Sequence, residues 1–229
     1  KPVNDDVAMD DGRDRRAERR RRTVALAGHR GNEPAARRGL ADPDPSVRAA
    51  AVGALARLGA LTVADVVAAL ADDAPAVRRR AVEAALAVRG NGSRSALPAA
   101  LTAAVADPDP LVAVGAAWFA GERRYRPAVP ALVTLATTHD DARCREAAVA
   151  ALGAIGDPAG LDAVLHALTD RPTVRRRATV ALAGFDDPRV EPALRGAAED
   201  RDWQVRQAAD ELLETEPDGA APAPPTRPG

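Results

Sequence analysis

Aromatic side chains are almost missing from this sequence. Trp118, Phe119, Tyr125, Phe185 and Trp203 make up 2% of its 229 residues. A core without them must be closed by Ala, Val and Leu. Such a core suits helices packed close together and poorly suits an aromatic-lined ligand pocket. Cysteine occurs once, at Cys144, so no disulfide can form within the chain and a reducing compartment is the simpler expectation. Lysine occurs once, at Lys1, and every other basic residue is arginine. Together with the Ala and Pro excess, this reads as GC-rich codon usage, so arginine abundance alone is not a functional signal. Charge of one sign is lacking too: 32 basic residues face 33 acidic ones, for a net charge of −1. That balance argues against a chain devoted to nucleic acid or membrane. No apolar run approaches the ~20 residues a membrane helix needs, and no secretory leader is visible. The only methionine is Met9, after an opening Lys1, which leaves the native start open. No stretch alternates with period two, so strands are not expected.

What is present is a repeat. Residues 42–59 (DPDPSVRAAAVGALARLG) read as an acidic turn, an Ala-rich amphipathic helix and a glycine stop. The valine of its Val-Arg pair recurs at Val47, Val77, Val112, Cys144, Val174 and Val205, every 30 to 35 residues. Arginine follows at 48, 78, 145, 175 and 206, with Ala113 the exception. Asp42, Asp72, Asp107, Asp140, Asp170 and Asp200 open the turns. A period near 31 signals a solenoid of helix pairs. Upstream, the stretch from Arg19 to Gly28 aligns with that from Arg175 to Gly184, so the basic run at 15–22 opens a repeat helix.

A first helix precedes each turn. Val63, Val66, Val67 and Leu70 fall at i, i+3, i+4 and i+7, as do Leu161, Val164, Leu165 and Leu168; Val129 and Val190 begin the same pattern. Thr62 and Asp157 mark helix starts, as do Asp44 and Asp109 ahead of a proline. Gly59, Gly90, Gly121 and Gly156 mark stops. Each pair is too small to bury its own face, so stacking must supply the core. The expected organisation is a disordered tail over 1–17, one repeat domain over 18–216, and a Pro/Ala-rich disordered tail over 217–229.

These residues resemble HEAT-like repeats, in the short bacterial form named after phycobilisome lyases. The motif is Asp-Pro-x-x-x-Val-Arg-x-x-Ala-x-x-Ala-Leu-x-x-Leu-Gly at 42–59, matched well again from Cys144 to Gly156. The resemblance implies an all-α, right-handed α-solenoid of about six helix pairs plus an N-terminal half repeat. It also implies that the turn acids and arginines (Asp42, Arg48, Asp72, Arg78, Asp140, Arg145, Asp170, Arg175, Asp200, Arg206) form a structural ladder between neighbouring repeats. The family spans scaffolds, chromophore lyases, chaperones, a hydroxylase and DNA glycosylase relatives, so fold alone does not choose a function.

Candidate chemistry is thin. A relative, deoxyhypusine hydroxylase, holds two irons with His-Glu dipeptides just after the Val-Arg pair. Here those positions are Ala49-Ala50, Arg79-Arg80, Val114-Gly115, Glu146-Ala147, Arg176-Arg177 and Gln207-Ala208, and none is His-Glu. That activity is disfavoured, and no metal, cofactor or catalytic residue is expected. Cys144 stands where the repeat has valine and reads as a small core filler, although Arg143 and Arg145 beside it would lower its pKa if it were exposed. The arginine doublets Arg20-Arg21, Arg79-Arg80 and Arg176-Arg177 occupy equivalent positions on second helices, expected to line the concave side. They are interrupted by Ala49, Val114, Glu146 and Gln207. For Trp118, Phe119, Tyr125 and Trp203 the expectation is buried packing.

The reading that results is a non-catalytic, cytoplasmic, monomeric scaffold holding a protein partner on its concave face. Its polar anchors would be Arg79, Arg80, Arg176 and Arg177. The irregular third repeat would supply an apolar anchor around Trp118 with Arg123, Arg124 and Arg126. The alternatives are a phycobilin-lyase-like or chaperone-like accessory subunit, and a phosphate or nucleic-acid binder using arginine-lined helices.

Overall fold

The computed structural model describes residues 5–86, 88 and 96–215. Among them are thirteen α-helices and no strand. A lone helix, α1 (Asp5–His29), precedes six pairs: α2 (Glu33–Gly39) with α3 (Pro45–Leu58), α4 (Val63–Leu70) with α5 (Pro75–Ala85), and α6 (Ala96–Ala104) with α7 (Pro110–Glu122). Then come α8 (Val129–Thr138) and α9 (Ala142–Ile155), α10 (Leu161–Ala167) and α11 (Pro172–Leu182), α12 (Val190–Ala197) and α13 (Trp203–Thr215). The fold is an α-solenoid.

Local chemistry sets most boundaries. Asp44 caps α3 by accepting from the Ser46 N–H, Asp109 caps α7 through Leu111 and Val112, and Asp141 caps α9 through Arg143. Thr62 and Asp65 form a reciprocal capping box on α4. Gly59 (φ 67°) and Gly156 (φ 65°) end α3 and α9 in the left-handed region, where a Cβ is unfavourable.

Three boundaries differ from the sequence reading. Gly121 does not stop α7: it lies buried inside the last turn, and the left-handed residue is Arg124 (φ 46°). Asp157 caps a 3₁₀ turn at Pro158–Gly160, and α10 begins only at Leu161. The backbone is helical from Asp5, inside the segment read as a tail. The sequence there is compatible with this: acids open the segment and arginines follow, the order that the helix dipole favours. The expected stop at Gly90 and the tail at 217–229 lie outside the described residues.

The chain divides into two compact units, residues 1–131 and 132–229. In the first, the second helices form a row in which α3 packs on α1, α5 on α3 and α7 on α5. The first helices α2, α4 and α6 pack against α3, α5 and α7 respectively. In the second unit α11 packs between α9 and α13, with α10 and α12 against them. The repeat valine is the core of each layer: Val47, Val77 and Val112 in one unit, Cys144, Val174 and Val205 in the other are buried. Each buried Val or Leu contributes roughly 1.5–3 kcal/mol, and the abundant alanines let the helices approach closely. A very close approach joins α9 to the end of α11, where a Cβ on Gly184 would fall 2.0 Å from the Gly153 carbonyl oxygen.

Candidate functional site

The site is framed by a ladder of arginines. Asp42, Asp72, Asp107 and Asp200 each accept the backbone N–H two residues on, as Asp72 does from Ala74 at 2.9 Å. Asp170 accepts that of Arg171 instead. Each of these aspartates then receives a two-pronged guanidinium from the preceding second helix. The pairs are Arg20–Asp42 (2.8 Å), Arg48–Asp72 (2.7 Å), Arg78–Asp107 (2.8 Å), Arg145–Asp170 (2.6 Å) and Arg175–Asp200 (2.8 Å). The remaining nitrogen of each arginine in α3, α5, α9 and α11 donates to the backbone of its own turn, as Arg48 does to the Asp42 and Pro43 carbonyls. One side chain thus ties two successive turns. Arg206, on α13, holds its own turn by donating to the Asp200 carbonyl at 2.8 Å. The guanidinium hydrogen bonds, working against partial desolvation, hold Asp42, Asp72, Asp170 and Asp200 below the ordinary aspartate range.

Two assignments to this ladder change. Asp140 offers only its carbonyl to Arg145. The turn-opening position is His139, whose Nδ1 accepts the Asp141 N–H at 3.0 Å. Its sequence neighbour drew the assignment because it is acidic, but the position counted from the arginine is six residues back, as in Asp42 and Arg48. Arg20 takes the ladder role in α1, so the doublet equivalent to Arg79-Arg80 is Arg21-Arg22, one residue later than the sequence match implies. The helix pair settles this: Gly28 lies against Ala54, where an added Cβ would come 2.8 Å from the Ala54 Cα.

Counted from the ladder arginine, four positions of each second helix share one face: two before, one after, two after and five after. In the first unit these positions line a single trough of about 840 Å³. Its floor is α3, which contributes Ser46, Ala49, Ala50 and Gly53. One wall is α1, with Glu18, Arg21, Arg22 and Ala25; the other is α5, with Ala76, Arg79, Arg80 and Glu83. Arg57 also lines it. The walls are basic and the floor is small. Arg80 reaches back over the floor, so that a Cβ on Gly53 would lie 3.5 Å from its Cδ.

Several of these arginines already have partners. Arg21 pairs with Glu18 at 2.8 Å and Arg80 with Glu83 at 2.7 Å. Arg79 grips Asp109, the cap of α7, through its Nε and one terminal nitrogen. Arg22 and Arg57 are exposed, and neither has a carboxylate within ion-pairing distance among the described residues. Beside α5, the same four positions of α7 are apolar: Leu111, Val114, Gly115 and Trp118. Leu111 is 49% exposed and Trp118 52%.

In the second unit the equivalent positions form a smaller recess of about 160 Å³, lined by Glu146, Thr173, Arg176, Arg177, Val180 and Gln204. Glu146 reaches Arg177 at 3.4 Å across it. Arg176 is exposed there, and Val180 is 46% exposed. The structure therefore brings Arg79 and Arg80 to one trough, and Arg176 and Arg177 to a separate recess.

The remaining nominated residues separate. Arg123 lies over the Phe119 ring, 5.5 Å from its centroid, and Phe119 is buried. Arg124 makes the turn after α7, and Arg126 begins a 3₁₀ turn. Buried packing fails for both tryptophans: Trp118 and Trp203, the latter 61% exposed, stand on the surface. For Trp118 the helical position explains it, since it falls five residues after the ladder position, on the face that lines the trough in α1, α3 and α5. Sequence reasoning missed Arg22, Arg57 and Leu111, and read Ala49-Ala50 as a gap in a stripe where the structure has a floor. Correct register in α1 was the one signal that could have marked Arg22. Cys144 is fully buried. Among the described residues, no group of three or more His, Cys, Asp or Glu is placed to hold a metal ion.

A family model of HEAT repeats matches residues 12–87, 97–179 and 167–215. The chain belongs to the HEAT-repeat family. Similar solved structures include the complex of CpcE and CpcF of phycocyanin lyase from Nostoc, at 24% identity over 77% of this chain and 74% of that one, with a TM-score of 0.56. A designed armadillo repeat protein in complex with the peptide (KR)4 aligns over 79% of this chain and 98% of its own, at 18% identity and a TM-score of 0.60. The YibA protein of Escherichia coli aligns over 82% and 71%, at 18% identity and a TM-score of 0.59. At these identities the likeness is one of fold. No curated protein sequence matches the chain. Among the described residues no helix of this HEAT-repeat protein is long and apolar enough to cross a membrane.

Proposed function

We propose that this HEAT-repeat protein is a non-catalytic scaffold that holds a protein partner on the face formed by its second helices, the side expected to be concave. The observation that carries the reading is the trough of the first unit. Repeat positions that differ from one repeat to the next combine there a small-residue floor, arginine walls and, on the adjoining helix, exposed Leu111 and Trp118. Arginine and tryptophan are the residue types that dominate binding energy at protein interfaces. A chain with one cysteine, itself buried, fits a cytoplasmic setting.

The anchors follow from what each arginine already holds. Arg176 and Trp118 are exposed and offered to a partner, Arg80 is exposed but paired with Glu83, Arg177 is shared with Glu146, and Arg79 is committed to Asp109. The test is affinity capture from native extract followed by mass spectrometry, with the wild type and two variants. Arg80→Glu with Arg176→Glu alters the second-helix face; Arg38→Glu with Arg195→Glu alters first helices. A partner retained by the second variant and released by the first supports the reading. Release by both, or a partner indifferent to the second-helix face, overturns it.

A further inference from the structure

We infer that the α1/α3/α5 trough takes an extended segment of a partner protein that carries a pair of carboxylates and, several residues further along, a large apolar side chain. The inference rests on the scaffold reading and names the chemistry its site selects.

The first observation is charge. Five arginines line the trough against two glutamates. Three of the five are already paired, Arg21 with Glu18, Arg79 with Asp109 and Arg80 with Glu83. The unspent donors are therefore Arg22 on the α1 wall and Arg57 on the α3 side. Each presents a planar fork suited to one carboxylate. The second observation is shape. Ala49, Ala50 and Gly53 leave the floor without side chains long enough to fill the gap between the walls, and its volume of about 840 Å³ matches a short peptide segment. The third is the apolar strip on α7. Leu111 and Trp118 are exposed at the repeat positions next in line after Arg79, Arg80 and Glu83 of α5. A segment running across the second helices meets two carboxylate sites and then an apolar one.

Nucleic acid is the competing occupant, and the observations disfavour it. Non-specific duplex binding rests on neutralising many phosphates with basic side chains, whereas this trough keeps two uncommitted arginines. Glu18 and Glu83 on its rim repel phosphates, and the chain as a whole carries a net charge of −1.

The test is selection of a phage-displayed library of random dodecapeptides against the full chain, followed by anisotropy titration of the selected peptides carrying a fluorescein label. Titration in a Trp203→Phe background leaves Trp118 as the only tryptophan, so its emission reports the α7 strip. The expected consensus has two acidic residues and, several positions away, a Leu, Phe or Trp, and its binding shifts Trp118 emission. Arg22→Glu with Arg57→Glu should weaken that binding about a hundredfold, and Trp118→Ala about tenfold. Arg176→Glu, in the second unit, should leave it unchanged. A consensus without carboxylates, or one indifferent to Arg22 and Arg57, overturns this inference and leaves the scaffold reading standing. No enrichment at all overturns it as well. If that is accompanied by salt-dependent binding of mixed-sequence duplex DNA lost in the Arg22→Glu, Arg57→Glu variant, the scaffold reading falls with it.

Discussion

The two units build the same frame and finish it differently. In both, a second helix presents the positions two before, one after, two after and five after its ladder arginine on one face. In the first unit, α3 fills them with Ser46, Ala49, Ala50 and Gly53, and an open trough results. In the second, the middle helix α11 fills them with Thr173, Arg176, Arg177 and Val180; Glu146 of α9 reaches Arg177, and a recess of about 160 Å³ remains. Larger side chains on the middle helix, together with one acidic side chain reaching over from its neighbour, separate a wide trough from a narrow recess. The repeat therefore specifies where a site can be, and four side chains per helix specify whether there is one.

The sharpest way to stress the comparison is to damage each unit's core alone. Trp118 belongs to the first unit and Trp203 to the second, so emission in single-tryptophan backgrounds reads each unit by itself. Leu55→Ala should destabilise the first unit by about 2–5 kcal/mol, because Leu55 is fully buried and the helices around it cannot collapse into the void. Urea unfolding followed at Trp118 should show it. An equal shift at Trp203 would mean the two units unfold as one.

The ladder comes next in size. Arg175 is 4% exposed and anchors Asp200, so Arg175→Ala should cost roughly 1–3 kcal/mol by leaving that carboxylate short of its donors. Acid should act on the same bonds in both units. Folding holds Asp42, Asp72, Asp170 and Asp200 below the ordinary value of 3.8. Their contribution is complete above that value and is lost as pH falls through the lower folded-state values. Thermal midpoints should accordingly hold near neutral pH and decline below about pH 4; a decline that starts near pH 6 would point to histidine instead.

Two smaller effects test the trough itself. Gly53→Ala should stabilise α3 by about 0.5–1 kcal/mol, since the helix gains alanine propensity and the new methyl meets Arg80 at ordinary contact distance. Ala49→Glu gives the first unit the acidic side chain that Glu146 supplies in the second, within reach of Arg80. Stability should change by less than about 0.5 kcal/mol, while binding of an acidic peptide is lost. Glu146→Ala is the reciprocal change and should free Arg177. Urea midpoints and peptide titrations read both, and retained peptide binding by Ala49→Glu would break the comparison.

How far the sequence could be read depends on range. The helix pairs, the caps at Asp44, Thr62 and Asp109, and the stops at Gly59 and Gly156 are local, decided by residues within one turn of each other, and they were legible. The acid–arginine ladder was legible as a pattern because it repeats with the period. Its individual rungs were not. Matching Arg19 to Arg175 rests on shared residue identities along the helix, whereas Arg20 is the residue that reaches Asp42. That choice depends on how α1 sits against α3 at Gly28 and Ala54, which is a contact between distant segments. The same limit hid the site: Arg22 and Arg57 lie on different helices, and nothing in either helix says that they face one trough.

By itself, then, the sequence determined an all-α array of paired helices, because period, caps and apolar spacing act over a few residues and agree with one another. The tertiary structure alone decided which arginines are spent and which are free, because ion pairing depends on distances between helices. It decided too that Ala49, Ala50 and Gly53 are a floor and not a gap, since an alanine has no meaning as a surface until the walls beside it are in place.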